Sequence, residues 1–481
     1  MKANSSLFSV GLCLCLLIFS LGLQISGPLL VLTGCFLALF LPFLWIGKGR
    51  FFLFLFLGVF IPLFPTVGIE IGGRILNWFD LFLLVFVLWN GLHFFNDEVR
   101  SRLDLVSLGS LLFLGFLLWS VFRSPDPVIS ARDYISYGVN FFLVYWIASR
   151  FSEVEMENYY WGIFLSSIVV FLVAAFQKIN GFTFPTVEDG EVTIRLGVPG
   201  TFDDSLVLSM YAGIMAIFCL MAILRYQSSI RLLAWVCFFL NLVSLRFSLS
   251  RNGMFILAVA LLCFLFFRFM DWMRDRRRAT AIPVMLFALP VFGLATLKVL
   301  PADVYHRIVS ILYLFQGSND QVILYNIRST LGRFENYKMA LKMFLEEPIE
   351  GIGLGMYPVL TKFHDADGFY PGLLAETGLI GCAGFLLFVL CLGIALYRSY
   401  KASRKEMSSS QLYSFQLFCS LTIALLAVSF FEPVFKVQWV SFTFFLMLRQ
   451  VTAHKLEWDS RAEGTSDESE DRSSEVLGVS A

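Results

Sequence analysis

Residues 333–381 read RFENYKMALKMFLEEPIEGIGLGMYPVLTKFHDADGFYPGLLAETGLIG. They are the second half of a polar, Gly-rich and charged segment, Leu300 to Gly384, that interrupts an otherwise apolar chain. Phe334, Tyr337, Leu341, Phe344 and Leu345 recur at helical spacing, with Arg333, Lys338 and Lys342 between them. Pro348 ends that pattern, which predicts an amphipathic helix lying on a membrane surface or packed on a bundle. The three glycines of GIGLG follow, permitting unusual backbone angles and the close approach of a ligand. His364, Asp365 and Asp367 then cluster just before the next apolar run, and Glu376 falls in its first turns. A carboxylate or imidazole at the mouth of a bundle can serve a hydroxyl as general base.

The flanking sequence decides the class. Of 481 residues, 58% are hydrophobic and 15% charged, and the mean hydropathy is +0.76. The apolar runs approach ~20 residues, the length that crosses a hydrocarbon core of about 30 Å. They lie near 7–23, 28–46, 51–64, 79–95, 105–122, 136–149, 161–179, 204–224, 231–247, 252–270, 281–299, 372–397, 413–430 and 434–450. The expected fold is all-α, a polytopic membrane helix bundle of about 12–14 spans with one long extracytoplasmic loop. It divides into an N-terminal bundle (1–299), the loop (300–371), C-terminal membrane helices (372–450) and an acidic, Ser-rich cytoplasmic tail (451–481).

Lys and Arg in short loops set the orientation. Arg268, Arg274 and Arg276–Arg278, and Arg398, Lys401, Arg404 and Lys405, are expected inside, with both termini. The segments 65–78, 123–135, 180–203, 248–251 and 300–371 then fall outside. A formal net charge of +0 gives no bulk attraction to nucleic acid. The nine cysteines all lie in apolar runs, and neither they nor the four histidines make a metal or disulfide framework.

Charges that break the apolar pattern mark candidate site residues. Arg246 and Arg251 sit between two spans on the outer side, where an arginine either reaches the headgroups or lines a polar cavity. Arg251, in SRNG, would open a helix whose N-terminus favours anions. Arg195 precedes a Gly-Pro-Gly turn, and Asp203 or Asp204 could cap the next helix.

Together these residues resemble a known family. PIEGIGLGMYP (348–358) followed by AETGLIG (375–381) resembles the signature of the O-antigen ligase and O-antigen polymerase superfamily. RLGVPGTFDDSLVLSMYAG (195–213) and SRNGMFILAVALL (250–262) are similar to its two arginine-bearing segments. The resemblance implies a membrane glycosyltransferase of C-type architecture in the bacterial inner membrane, with its active site facing the periplasm. Such enzymes transfer a glycan from undecaprenyl diphosphate to an acceptor hydroxyl, on lipid A core or a growing polysaccharide, without cofactor or metal. By the same resemblance, Arg195 and Arg251 bind the diphosphate, Arg333 assists, and Asp367 or His364 is the base. Asp367 stands where ligases carry a histidine, and its DGFY setting is closer to polymerase-like members. A glycan-lipid flippase or other transporter is the alternative from a different class. It predicts repeated halves and polar residues near mid-bilayer, which the sequence does not display.

Overall fold

A computed structural model of the chain describes residues 104–148, 153–181, 197–202, 204–226, 229–274, 321–361, 366–403, 408–437 and 439–449, with strands at 68–71, 74–77, 184–188 and 191–195. The expected spans at 7–23, 28–46, 51–64, 79–95 and 281–299, and the tail, lie outside the described residues.

Seven described helices are long and apolar enough to cross a membrane. In chain order the helices are α1 (Leu105–Arg123), α2 (Pro127–Gly138), α3 (Val144–Ala148), α4 (Glu153–Ile179), α5 (Ser205–Arg225), α6 (Ser229–Ser248) and α7 (Arg251–Arg274). They continue with α8 (Gln321–Glu346), the short α9 (Tyr357–Leu360), α10 (Phe369–Ser403), α11 (Ser409–Val428) and α12 (Trp439–Arg449). The span expected at 136–149 is instead the second half of a bent helix, α2 running through the π-helical Val139–Leu143 into α3. The span expected at 434–450 is a 3-10 turn, Val434–Lys436, followed by the short α12. Two antiparallel hairpins add to the helical bundle: β1 (Gly68–Ile71) with β2 (Arg74–Asn77), and β3 (Phe184–Glu188) with β4 (Glu191–Arg195).

The centre of the bundle is α5, which packs on α6, α7 and α11 and is the most buried of the spans. Without water to compete, membrane helices associate through small residues and polar contacts. Both are present. A Cβ on Gly253 would lie 1.9 Å from the Ser209 carbonyl oxygen, and one on Gly213 2.5 Å from that of Gly253. These glycines therefore let α5 and α7 touch backbone to backbone. Tyr211 and Ser166 hydroxyls meet at 2.7 Å, and Asn241 donates to Ser167 Oγ at 3.2 Å. A second packing unit joins α1 to α10, where Phe113, Phe141, Phe388 and Phe445 form an aromatic cluster with ring centroids 4.8–6.4 Å apart.

Helix ends follow the capping chemistry of the sequence. Asp104 accepts from Ser107 N, Asp126 from Val128 N and Ile129 N with Pro127 behind it, and Asp204 from Leu206 N. Ser408 and Gln411 form a capping box that opens α11.

The long helix α10 is broken. At Gly378 the backbone turns to φ 60° and ψ −156°, a conformation open essentially to glycine alone. The break frees the Ala375 and Glu376 carbonyls and the Leu379 and Ile380 amides. The segment 348–353 takes up all four. Ile352 N donates to Ala375 O (3.0 Å), Gly353 N to Glu376 O (2.9 Å), Leu379 N to Pro348 O (3.0 Å) and Ile380 N to Ile349 O (3.2 Å). The glycines of this segment therefore admit protein. A Cβ on Gly351 would sit 2.5 Å from the Glu376 backbone, one on Gly353 2.7 Å from Ser124 Oγ, and one on Gly355 2.5 Å from Asp133 Oδ2. Ser130 Oγ completes the seat by donating to Leu354 O at 2.6 Å.

The amphipathic helix expected before Pro348 is α8, and it lies along α10. Its packed face is small and polar: Asn336 and Ala340 are buried among Tyr357, Ala366 and Ala375. Leu331, Phe334, Leu341 and Leu345 face outward.

Candidate functional site

One end of the bundle gathers the C-terminal ends of α1 and α6 and the N-terminal ends of α7 and α10 with α8 and the connection between α11 and α12. The organising piece is that connection, residues 429–432. Four consecutive residues accept hydrogen bonds from two other segments. Ser429 O accepts from Phe369 N (2.8 Å), Phe430 O from the Tyr337 hydroxyl (3.2 Å) and Phe431 O from Arg333 Nη1 (3.5 Å). The Glu432 carboxylate accepts from Arg333 Nη2 at 2.9 Å. In the first turns of α7, Asn252 is close enough to Glu432 to favour its charged form, and the Phe255 ring meets that of Phe431 with centroids 6.1 Å apart.

Glu432 is nearly fully buried. Burial pushes its carboxyl up to about 7, against the opposing pull of Arg333 and Asn252. Burial also works against the Arg333 charge, but Glu432 and Asp367 outweigh it and hold the guanidinium above its ordinary value. Arg333 thus stands between two carboxylates.

Asp367 occupies the left-handed region, φ 53°, just before α10. Asn336 Nδ2 donates to its Oδ2 at 2.8 Å. The Tyr357 hydroxyl donates to the Asn336 carbonyl at 3.0 Å and also to Asn336 Oδ1. The carboxylate only accepts, so the amide nitrogen is turned to Asp367 and its oxygen to the Tyr357 hydroxyl. The Tyr337 hydroxyl lies 3.4 Å from the Asp367 carbonyl. Behind this layer Lys436 Nζ stands 3.6 Å from the buried Glu376 carboxylate, linking the 3-10 turn to the break in α10.

The arginine-bearing segments meet at the same end. Arg251 is the first residue of α7, as its sequence setting predicts, and its neighbour Asn252 reaches Glu432. Arg195 ends β4, two residues before Gly197. A Cβ on Gly197 would lie 2.1 Å from the Ser248 carbonyl, and Val198 N donates to Phe247 O at 3.2 Å. Gln177 grips the turn from α4, its side chain bonding both Gly200 N (2.8 Å) and Gly200 O (2.7 Å). The segment after Arg195 is therefore laid on the turn before Arg251. Arg333 joins that turn through Glu432, and Asp367 is held to the same helix α8 by Asn336. His364 lies outside the described residues.

Glu432, Asn336 and Tyr357 are the residues that sequence reasoning missed. A signal for Glu432 existed: an acid between two phenylalanines and a proline, on the side where the arginines fall. No group of three or more His, Cys, Asp or Glu able to hold a metal occurs among the described residues.

Residues 236–386 match a family model described as O-antigen ligase. The match runs from α6 through the break in α10, so it contains Arg251, Arg333, Asn336, Asp367 and Glu376; Arg195 and Glu432 fall outside it. None of the curated proteins matches the chain.

Proposed function

We propose that this chain, which the matched segment aligns with the O-antigen ligase/polymerase superfamily, transfers a glycan from a polyprenyl diphosphate to an acceptor hydroxyl on the outer face of the bacterial inner membrane. An O-antigen ligase/polymerase-type function in general is supported by the family match. The observation that carries the finer reading is the convergence of the Arg195 and Arg251 segments with Arg333 and Asp367 at one end of the bundle.

The chemistry follows from those residues. The acceptor hydroxyl attacks the anomeric carbon, its proton passing to Asp367 or His364. The bond from that carbon to the diphosphate breaks, and polyprenyl diphosphate leaves with the electron pair. Its growing negative charge is met by Arg195 and Arg251, the latter at a helix N-terminus, where a guanidinium and exposed amides act together. Arg333 assists from α8. The Asn336 hydrogen bond, locked by Tyr357, supports Asp367 as the base by fixing its carboxylate in one orientation. Undecaprenyl diphosphate is the donor expected from the resemblance, and lipid A core or a growing polysaccharide the acceptor.

The test is reconstitution of the full-length protein in lipid with an undecaprenyl diphosphate glycan and purified acceptors. Arg251→Ala is expected to lower transfer about 100-fold or more, and Asp367→Asn by a similar factor if Asp367 is the base. Full activity in Arg251→Ala would remove the diphosphate role. An active Asp367→Asn beside an inactive His364→Ala would move the base to His364.

A further inference from the structure

We propose that Glu432 is a positioning residue of this site: its buried carboxylate clamps Arg333 of α8 to the first turn of α7, so that the two arginine-bearing segments face one donor diphosphate. The inference rests on the functional reading above, and it deepens that reading by naming the group that sets the anion-binding face.

Three observations carry it. First, residues 431 and 432 are where separate elements meet: Arg333 of α8 reaches the Glu432 carboxylate at 2.9 Å, and Phe255 of α7 packs on the neighbouring Phe431 with ring centroids 6.1 Å apart, beside Asn252. Second, the backbone on either side is pinned, with Phe431 O held by Arg333 and Val434 N donating to Glu432 O at 2.8 Å. Pro433 stiffens the same turn. The carboxylate is therefore presented from a fixed base. Third, a buried carboxylate costs free energy, and a neutral amide could bridge an arginine and an asparagine by hydrogen bonds alone. What the charge adds is a counter-ion for Arg333. The groups around Glu432 from the packed elements are Arg333 and Tyr337 on α8, Asn252 beside Arg251 on α7, and Asp367 on the loop before α10. Its raised pKa places the loss of this charge near neutral pH.

Glu432→Gln keeps the shape and removes the charge, and Glu432→Ala removes both. Full-length wild type and both variants, in nanodiscs, are compared for donor KM, kcat and pH profile between pH 5.5 and 8.5. Binding of inorganic diphosphate is measured in parallel by calorimetry. Glu432→Gln is expected to raise donor KM about tenfold with kcat altered less than about threefold, and to flatten the pH dependence of KM around 7. Its diphosphate affinity should lose the same pH dependence. Glu432→Ala should show a larger KM effect. A Glu432→Gln variant that matches wild type in KM, diphosphate affinity and pH profile overturns the positioning role while leaving the functional reading intact. A variant with equal losses in kcat and kcat/KM and an unchanged pH profile also overturns it, since the residue would then act on the chemical step or the fold. Wild-type protein that neither transfers glycan nor binds diphosphate overturns the functional reading and this inference with it.

Discussion

Gly378→Ala is expected to do damage out of proportion to one methyl group. The residue sits at φ 60° and ψ −156°, where an L-residue pays about 1–3 kcal/mol. Its new Cβ would lie 2.5 Å from the Ile349 carbonyl oxygen and 2.8 Å from Glu350 N, so segment 348–353 must shift. Four hydrogen bonds hold that segment to the break, each contributing about 0.5–1.5 kcal/mol net. Loss of two of them together with the strain comes to about 3 kcal/mol. Gly393→Ala in the same helix is the control. Nothing stands within 4 Å of its added Cβ, and replacing a helix-interior glycine gains about 0.5–1 kcal/mol. Full-length variants in one detergent would be compared by thermal denaturation and by hydrogen exchange over 348–353 and 375–380. Gly378→Ala should melt several degrees below wild type with faster exchange in both segments, and Gly393→Ala at or above it. If the two variants melt together with wild-type protection, the backbone pairing between loop and helix does not contribute as argued.

Gly253→Ala should prevent α5 and α7 from closing, because its Cβ would lie 1.9 Å from Ser209 O; Gly332→Ala, with open space around it, should not. Yield of monodisperse protein from membranes separates the two, and equal yields would refute the close approach. Asp104→Ala removes the cap of α1 and the carboxylate 2.7 Å from Arg449 Nη1, at a cost of about 3 kcal/mol read as a lowered melting temperature. For Glu432 the sign is set by a folded pKa of about 7 above its ordinary 4.5. The protonated form favours the fold, so this contribution is complete below pH 4.5 and is lost as pH rises through 7. Relative to Glu432→Gln, wild type should lose about 3 kcal/mol across that window. Melting temperatures of the pair from pH 5 to 8 would show it, and parallel curves would contradict it.

Much of the scaffold is legible in the sequence because a bilayer leaves few alternatives to a run of apolar residues. The spans at 105–122, 204–224 and 252–270 coincide within two residues with the membrane-spanning parts of α1, α5 and α7, Leu105–Arg123, Ser205–Arg225 and Arg251–Asp271. The Asp204 cap and the start of α7 at Arg251 follow from local chemistry. What periodicity could not give is which face an element turns inward. The apolar stripe of α8 implies that Phe334, Leu341 and Leu345 are packed or in lipid, and the face on α10 proves to be Asn336 and Ala340. The GIGLG glycines signal close approach correctly, but sequence spacing cannot say that the visitors are the Glu376 backbone and the side chains of Ser124 and Asp133. The β3–β4 hairpin had its own signal, Asp189-Gly190 between alternating residues, overlooked inside a segment read as loop. Glu432 was overlooked for a related reason. A lone acid in a short connection reads as solvated until the partners that bury it are in view.

The break in α10 also bears on how the chain enters a membrane. A helix interrupted at Gly378 arrives with two carbonyls and two amides that hydrocarbon cannot satisfy, each costing several kcal/mol if left there. Residues 379–403 can insert as an ordinary span on their own. Residues 369–378 find their missing partners in 348–353, which precede them in the chain, and in Ser120 of α1, whose hydroxyl donates to Glu376 O at 3.1 Å. The loop and the first part of α10 therefore dock as one unit, because each satisfies backbone groups of the other. Asp367 and Glu376, one just before and one inside that part of α10, take their positions with it.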